Sequence, residues 1–155
     1  MLTSSQQQAL NTSTHLSVTA NAGSGKTMVL VERYINILTS GKAQVDEVVA
    51  ITFTEKAASE LKRKIADSVA KKIVESTNSK LKNALEEIRV QLSGAVIGTI
   101  HSFCGDVLRR YGRHLGLEAD FSILDERAHA ALSRRDLRAF ISDLLSANDP
   151  AAVFF

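Results

Sequence analysis

Ala20-Asn21-Ala22-Gly23-Ser24-Gly25-Lys26-Thr27 is the stretch that decides how the rest of this 155-residue chain is read. It follows a short strand candidate, His15 to Ala20, with Leu16 and Val18 on one face. It opens a helix candidate, Lys26 to Leu38, in which Val29, Leu30, Arg33 and Ile37 recur at three- and four-residue steps. A Gly-rich turn between strand and helix, ending in Lys-Thr, has the composition and context of a phosphate-binding loop. Gly23 and Gly25 permit turns that aim successive N–H groups inward and let a phosphate approach the backbone. The helix N-terminus adds a favourable dipole for an anion. Lys26 supplies a point charge for β and γ phosphates, and the Thr27 hydroxyl is a hard ligand suited to Mg²⁺. The general pattern begins with Gly where this chain has Ala20, which is tolerated if that residue keeps a negative φ at a strand end.

Outward from the loop, strands alternate with helices. Ser4 or Ser5 is placed to cap a short helix running toward Asn11. Val48 to Phe53 is a near-continuous apolar run, the pattern of a parallel strand buried on both faces. Ala58, Leu61, Ile65, Val69 and Ile73 then mark a long amphipathic helix, interrupted at Ser76-Thr77-Asn78-Ser79. Leu81, Leu85, Ile88 and Leu92 carry a second helix. Ala95 to Gly98 is a third strand candidate. Ile100, Phe103, Val107, Leu108, Tyr111 and Leu115 mark a helix ended by Gly116. Phe121 to Leu124 is a weak strand candidate, and Ala128 to Leu145 a last helix. Such alternation predicts an α/β protein with a parallel sheet and right-handed connections.

Two further segments sit at predicted strand ends, where open α/β sheets bind their ligands. In Ile51-Thr52-Phe53-Thr54-Glu55-Lys56, Thr52 and Thr54 offer hydroxyls to phosphates and Phe53 a face for base stacking. Taken alone, the segment reads better as a buried Phe53 with Thr54 as a helix N-cap. In Gly98-Thr99-Ile100-His101-Ser102-Phe103-Cys104, Thr99, His101 and Ser102 are polar donors at another strand end. His101 reads equally well as a helix-start residue bonded to backbone. Cys104 has no local sign of a catalytic partner.

Together these segments resemble the N-terminal ATPase domain of the UvrD/Rep superfamily 1 DNA helicases, whose motifs occur in this order. The upstream Leu2-Thr3-Ser4-Ser5-Gln6-Gln7-Gln8-Ala9 resembles that family's adenine-reading Q motif, with Gln6 at the Gln position. A Gln amide donates to and accepts from the adenine edge at once. The resemblance covers about Leu2 to Glu126. Met28 after Thr27, the run Val29-Leu30-Val31-Glu32-Arg33, the wording TIHSFC and Phe121-Ser122-Ile123-Leu124-Asp125-Glu126 are similar to the RecB/AddA helicase-nuclease branch.

The resemblance implies a P-loop NTPase (RecA-like) three-layer fold, present here incompletely, with a helical insertion at about 66–92. It implies a domain boundary near residue 126, after which 127–155 opens a helical 1B-like region. ATP and Mg²⁺ are the implied cofactors. Gln6, Ala22, Gly23, Ser24, Gly25, Lys26 and Thr27 would bind nucleotide, with Thr27 at the metal. Thr52, Phe53, Thr54, Lys56, Thr99, His101 and Ser102 would bind single-stranded DNA. The implied protein partners are the remainder of the helicase chain, with its second RecA-like domain, and a nuclease partner subunit. Lys71, Lys72, Lys80, Lys82 and Arg89 in the insertion are interleaved with Glu75, Glu86 and Glu87, the pattern of a solvated face. The family's catalytic Asp-Glu pair belongs on a later, strongly apolar strand. Asp125-Glu126 follows a weak one, so it is not assigned that role, and no catalytic residue is assigned in this chain.

Composition agrees with this reading without deciding it. Hydrophobic residues are 45% and charged residues 23% of the chain, which argues for a globular domain. A net charge of +2 does not announce a nucleic-acid binder, and a single Cys excludes a disulfide framework within the chain. No apolar run is long enough to span a membrane, and the Gln-rich start does not resemble a signal peptide, so a cytoplasmic setting is expected. The apolar Ala151-Ala152-Val153-Phe154-Phe155 suggests a cut through a larger protein, from which no hydrolysis or unwinding by the piece itself is expected. Two other functions fit less well. A small P-loop nucleotide or metabolite kinase would use Arg109, Arg110, Arg113, Arg134, Arg135 and Arg138 as phosphate clamps. A non-catalytic binding module would keep the fold for partner contacts alone.

Overall fold

The spacing of Ala58, Leu61, Ile65, Val69 and Ile73 produces one continuous helix, α3 (Glu55–Glu75), with all of those residues buried. In the computed structural model, which describes residues 2–118 and 120–147, the other elements are arranged around it. They are α1 (Ser4–Gln8), α2 (Lys26–Thr39), β1 (Val49–Thr52), α4 (Ser79–Gln91), β2 (Val96–Thr99), α5 (Ile100–Tyr111) and α6 (Glu126–Ser146). The Thr54 hydroxyl caps α3 by accepting from Ala57 N at 3.1 Å, and the Asn78 carboxamide caps α4 by accepting from Leu81 N at 3.2 Å. These side chains satisfy amides that a helix start leaves without partners.

β1 and β2 pair in parallel, with Val49 opposite Val96 and Thr52 opposite Thr99. This makes the described residues an α/β arrangement with a two-stranded parallel sheet. The core joins Val31, Tyr34, Ile35 and Leu38 of α2 to Ala50, to the α3 stripe, and to Leu85, Ile88 and Leu92. Ile35, Ile65, Val69 and Leu85 are fully enclosed. Lys72 of α3 adds an ion pair to Glu32 of α2, 3.0 Å apart.

The structure corrects several expectations. Val48 to Phe53 is not covered on both faces: Ala50 is buried, but Val49 and Ile51 are 43% and 50% exposed. Neighbours on a strand point to opposite faces, and the helices cover only the face of Ala50. His15 to Ala20 and Phe121 to Leu124 form no ladder, because no strand among the described residues lies beside either segment to exchange backbone hydrogen bonds with it. The cap of α1 is Thr3, ahead of Ser4 and Ser5. A capping box needs Gln or Glu three residues on, and Gln6 stands at that distance from Thr3. In α2 the core stripe is Val31, Tyr34, Ile35 and Leu38, which leaves Leu30 and Arg33 facing elsewhere.

The chain packs as two compact units, Met1–Asp106 and Val107–Phe155, divided within α5. In the second unit a 3-10 turn, Gly112–Leu115, follows α5 and ends at Gly116 with φ +76°. The Arg109 guanidinium lies over the Phe121 ring, 5.9 Å from its centroid. No helix among the described residues is long and apolar enough to cross a membrane. Ala151 to Phe155 lie outside the described residues.

Tyr34 carries the one polar flaw in the core found among the described residues: its hydroxyl is buried with no hydrogen-bond partner. Burial holds the phenol above its ordinary pKa. Removing that hydroxyl removes an uncompensated desolvation cost, so Tyr34→Phe should leave stability unchanged or raise it by about 1 kcal/mol in urea melts. The pH dependence follows from the raised value. The unfolded phenol ionises near about 10 while the folded one stays protonated, so wild-type stability falls as pH rises above that point. The Phe variant should lose this component, which melts between neutral and alkaline pH would show.

Candidate nucleotide and nucleic-acid site

The loop between Ala20 and α2 is shaped by two left-handed residues, Gly23 (φ +78°) and Gly25 (φ +82°), a region that side-chain-bearing residues rarely enter. Gly25 is the N-cap of α2, and no acidic residue in the first turn offsets the helix dipole. A Cβ on Gly25 would lie 3.1 Å from Gln6 Nε2, while one on Gly23 would meet open space. The Ser24 hydroxyl donates to Asn21 O at 2.7 Å, tightening the turn. Lys26 Nζ donates to Ala20 O at 2.5 Å and to Asn21 O at 2.6 Å, so the ammonium is held inside the curve of its own loop. Ala22 and Thr27 are exposed, the latter in the first turn of α2.

Gln6 joins α1 to this loop. Its Oε1 accepts from Thr3 N at 2.9 Å, and its Nε2 donates to Ser24 O at 3.1 Å. A cavity of about 600 Å³ opens between α1, the loop and α2, with Gln6 and Ala9 on one wall, Ser24 and Lys26 at one end, and Leu30 and Arg33 on the other wall. The glycine conformations, the cationic end and the adjoining amide suit a polyphosphate that carries a base. Among the described residues no cluster of His, Cys, Asp or Glu could hold a metal ion by itself.

The parallel register places the segments after β1 and β2 at the same end of the sheet. Phe53 is 103% exposed, so it is not a core residue, whereas Thr54 is the helix cap. Thr52 Oγ1 donates to Thr54 O at 3.0 Å. Lys56 and His101 are exposed. Thr99 differs from these. It is buried, and its hydroxyl donates to Glu55 Oε1 at 2.8 Å. Thr99 N donates to Ser102 Oγ at 2.8 Å while Thr99 Oγ1 accepts from Ser102 N at 3.2 Å, a reciprocal cap on α5. The polar atoms of Thr99 and Ser102 therefore serve the helix start, and the open surface at this end is made by Phe53, Thr54, Lys56 and His101.

A profile of the UvrD/REP helicase N-terminal domain matches residues 2–151. The chain belongs to that family. It is similar to an ATP-dependent helicase/nuclease subunit of Pediococcus pentosaceus, with 44% identity over 79% of this chain and 10% of the relative. It is similar to the protein of the same description from Lactobacillus acidophilus, 38% identical over 99% of this chain and 13% of the relative. A third, from Clostridium acetobutylicum, is 36% identical over 91% of this chain and 11% of the relative. The chain thus spans about a tenth of the length of the relatives it matches.

Against this family background, Asp125-Glu126 has a structural explanation of its own. Asp125 Oδ1 accepts from Ala128 N at 2.7 Å as the N-cap of α6, and Glu126 begins the helix. The basic residues of the helical segment are partly engaged on the surface: Lys71 lies 3.7 Å from Glu75 and Arg89 2.7 Å from Glu86. Two residues escape a reading of the sequence. Glu55, the partner of Thr99, is separated from it by 44 positions and leaves no local signal. Arg33 leaves one: a guanidinium written into an apolar stripe.

Gly98 shows how tightly the α5 cap is built, since a Cβ there would stand 2.6 Å from Ser102 Oγ. Ser102→Ala should cost about 1 kcal/mol as a lost cap. Gly98→Ala should cost more, by displacing Ser102 and the Thr99 network together. The double variant should cost less than the sum, because both changes break one shared contact. Urea denaturation of the three variants measures this.

Proposed function

We propose that this chain is the nucleotide-binding part of an ATP-dependent DNA helicase motor of the helicase-nuclease type, acting in DNA repair and recombination. The observation that carries the reading is the joining of Gln6 to Ser24 across the cavity wall, which puts a base-reading amide beside a phosphate-type loop. The descriptions of the relatives, ATP-dependent helicase/nuclease subunits, support it. In this reading the fold is RecA-like, with residues 1–126 in the ATPase domain and 127–155 opening a helical region, in a cytoplasmic protein.

ATP occupies the cavity with its base toward Gln6 and its phosphates under the N–H groups of Ala22, Gly23, Ser24 and Gly25. The Lys26 ammonium leaves the Ala20 and Asn21 carbonyls for the β and γ phosphates, exchanging neutral acceptors for charged ones. The Thr27 hydroxyl is the group of this chain that would hold Mg²⁺, which would supply positive charge to the phosphates. Water activation and the transition-state arginines come from outside these residues, from the rest of the motor and its second RecA-like domain. Phe53, Thr54, Lys56 and His101 form the chain's share of a single-stranded DNA path, and Thr99, Ser102 and Thr52 hold that path in shape. Stacking on Phe53 and contacts to sugar-phosphate make such binding tolerant of sequence and sensitive to salt. A nuclease partner subunit belongs to the same assembly.

Calorimetry with Mg-ATP tests the nucleotide reading. Lys26→Ala should abolish detectable binding while leaving the far-ultraviolet circular dichroism unchanged. Equal affinity in wild type and variant would remove the loop assignment. For DNA, Phe53→Ala and His101→Ala should each weaken oligo-dT binding at low salt without altering ATP affinity, Phe53 by about tenfold for one lost stacking contact. Undiminished binding by both variants would place the DNA elsewhere.

A further inference from the structure

Helix α1 carries the base-reading residue of the proposed site yet has no buried residue of its own. It is also a single short helix, well below the length at which a helix is stable in water by itself. Polar ties join it and the segment after it to the rest of the first unit. Gln6 Nε2 reaches Ser24 O, Lys42 Nζ donates to Thr12 Oγ1 at 2.7 Å, and Arg33 of α2 places one guanidinium nitrogen on the carbonyl of Ala9, the C-cap of α1, and on that of Asn11 just beyond the helix. Arg33 Nη1 donates to Ala9 O at 2.9 Å and also to Asn11 O. Of these ties, that of Gln6 is the one base recognition must redirect, since the amide that holds Ser24 is the amide that reads the base. Lys42 acts beyond the helix, on the following segment. Arg33 is the tie that grips the helix end itself, and its own side chain is half-buried in the cavity wall.

We propose that Arg33 is a positioning residue for base recognition: it fixes the C-terminal end of α1 so that Gln6 stays over the base end of the cavity when its bond to Ser24 is given up. This rests on the nucleotide reading above. A cation suits the place, because the last carbonyls of a helix carry its negative end and accept from cations most strongly. The planar, always-charged guanidinium also serves two carbonyls at once with little loss of freedom for each bond.

The test uses the whole chain with Arg33→Met, which keeps the apolar stem and removes every donor, and Arg33→Lys, which keeps a point charge. The probes are ATP, GTP and inorganic tripolyphosphate, each with Mg²⁺. Arg33→Met should weaken ATP about tenfold, the loss expected for a charge-assisted hydrogen bond. Tripolyphosphate should stay within about twofold of wild type, and the preference for ATP over GTP should collapse; Arg33→Lys should fall between. Without nucleotide, the Gln7 and Ala9 amides, which donate to Thr3 O and Ser5 O, should exchange faster in Arg33→Met. Retained tripolyphosphate binding also certifies that the variant has folded. Equal losses for ATP and tripolyphosphate, unchanged exchange, or an intact ATP preference would each overturn the proposal. If wild type binds neither ATP nor tripolyphosphate, the nucleotide reading fails and this one with it. If wild type binds both equally, Gln6 reads no base and only the present proposal fails.

Discussion

Burial of one face of α3 is the interaction on which the rest depends. Its stripe from Ala58 to Ile73 meets α2, α4 and the covered face of the sheet, and Ile65 and Val69 within it are completely enclosed. Each enclosed Ile or Val is worth about 1.5–3 kcal/mol against exposure, so this face contributes heavily to the core of the first unit. It also decides where chemistry can sit. By drawing the sheet and α2 onto one pillar, it fixes the N-terminal end of α2 and the ends of both strands, which is where the loop and the Phe53 surface lie. The second unit has nothing comparable: α6 buries no residue among those described.

The helical half of the fold is legible in the sequence because a three-to-four-residue apolar period survives whatever surrounds it. The α3 stripe can be read residue for residue, and α4, α5 and α6 fall within a few positions of their expected bounds. Strands are less legible because pairing is a property of two segments. His15 to Ala20 has strand composition but no neighbour to pair with among the described residues. Val48 to Phe53 looks buried on both faces because sequence records apolarity without recording whether a second layer covers it. The α2 stripe misleads for a related reason. Leu30 and Arg33 keep the period, yet they line the cavity beside the glycine loop and not the core.

The site divides in the same way. The loop is legible because its glycines are forced by backbone geometry at closely spaced positions, and Gly23 and Gly25 do adopt positive φ. The strand-end polar residues lie together at one end of the sheet but differ in their hydrogen bonds. Thr99 and Ser102 look like surface donors in sequence, and the structure spends their hydrogen bonds on the start of α5 and on Glu55. A Ser or Thr next to a helix start always carries this ambiguity, since capping and ligand binding use the same atoms. Phe53 resolves in the opposite direction. An aromatic side chain with its whole surface in solvent gains nothing for the fold, and this one stands at the mouth of two paired strands.

The register of the sheet has a consequence for the order of folding. Val49 pairs with Val96, and most of the chain between them is α3 and α4. Closing so long an intervening segment as a flexible coil would be entropically costly for the few backbone bonds that two short strands return. The two helices meet across the brief link after Glu75, a contact local in sequence, and local contacts form early. Docked together, they would shorten the gap that the ladder has to close. A ladder that closes only after those helices dock would order the surface built on its end, with Phe53 and His101, late in folding.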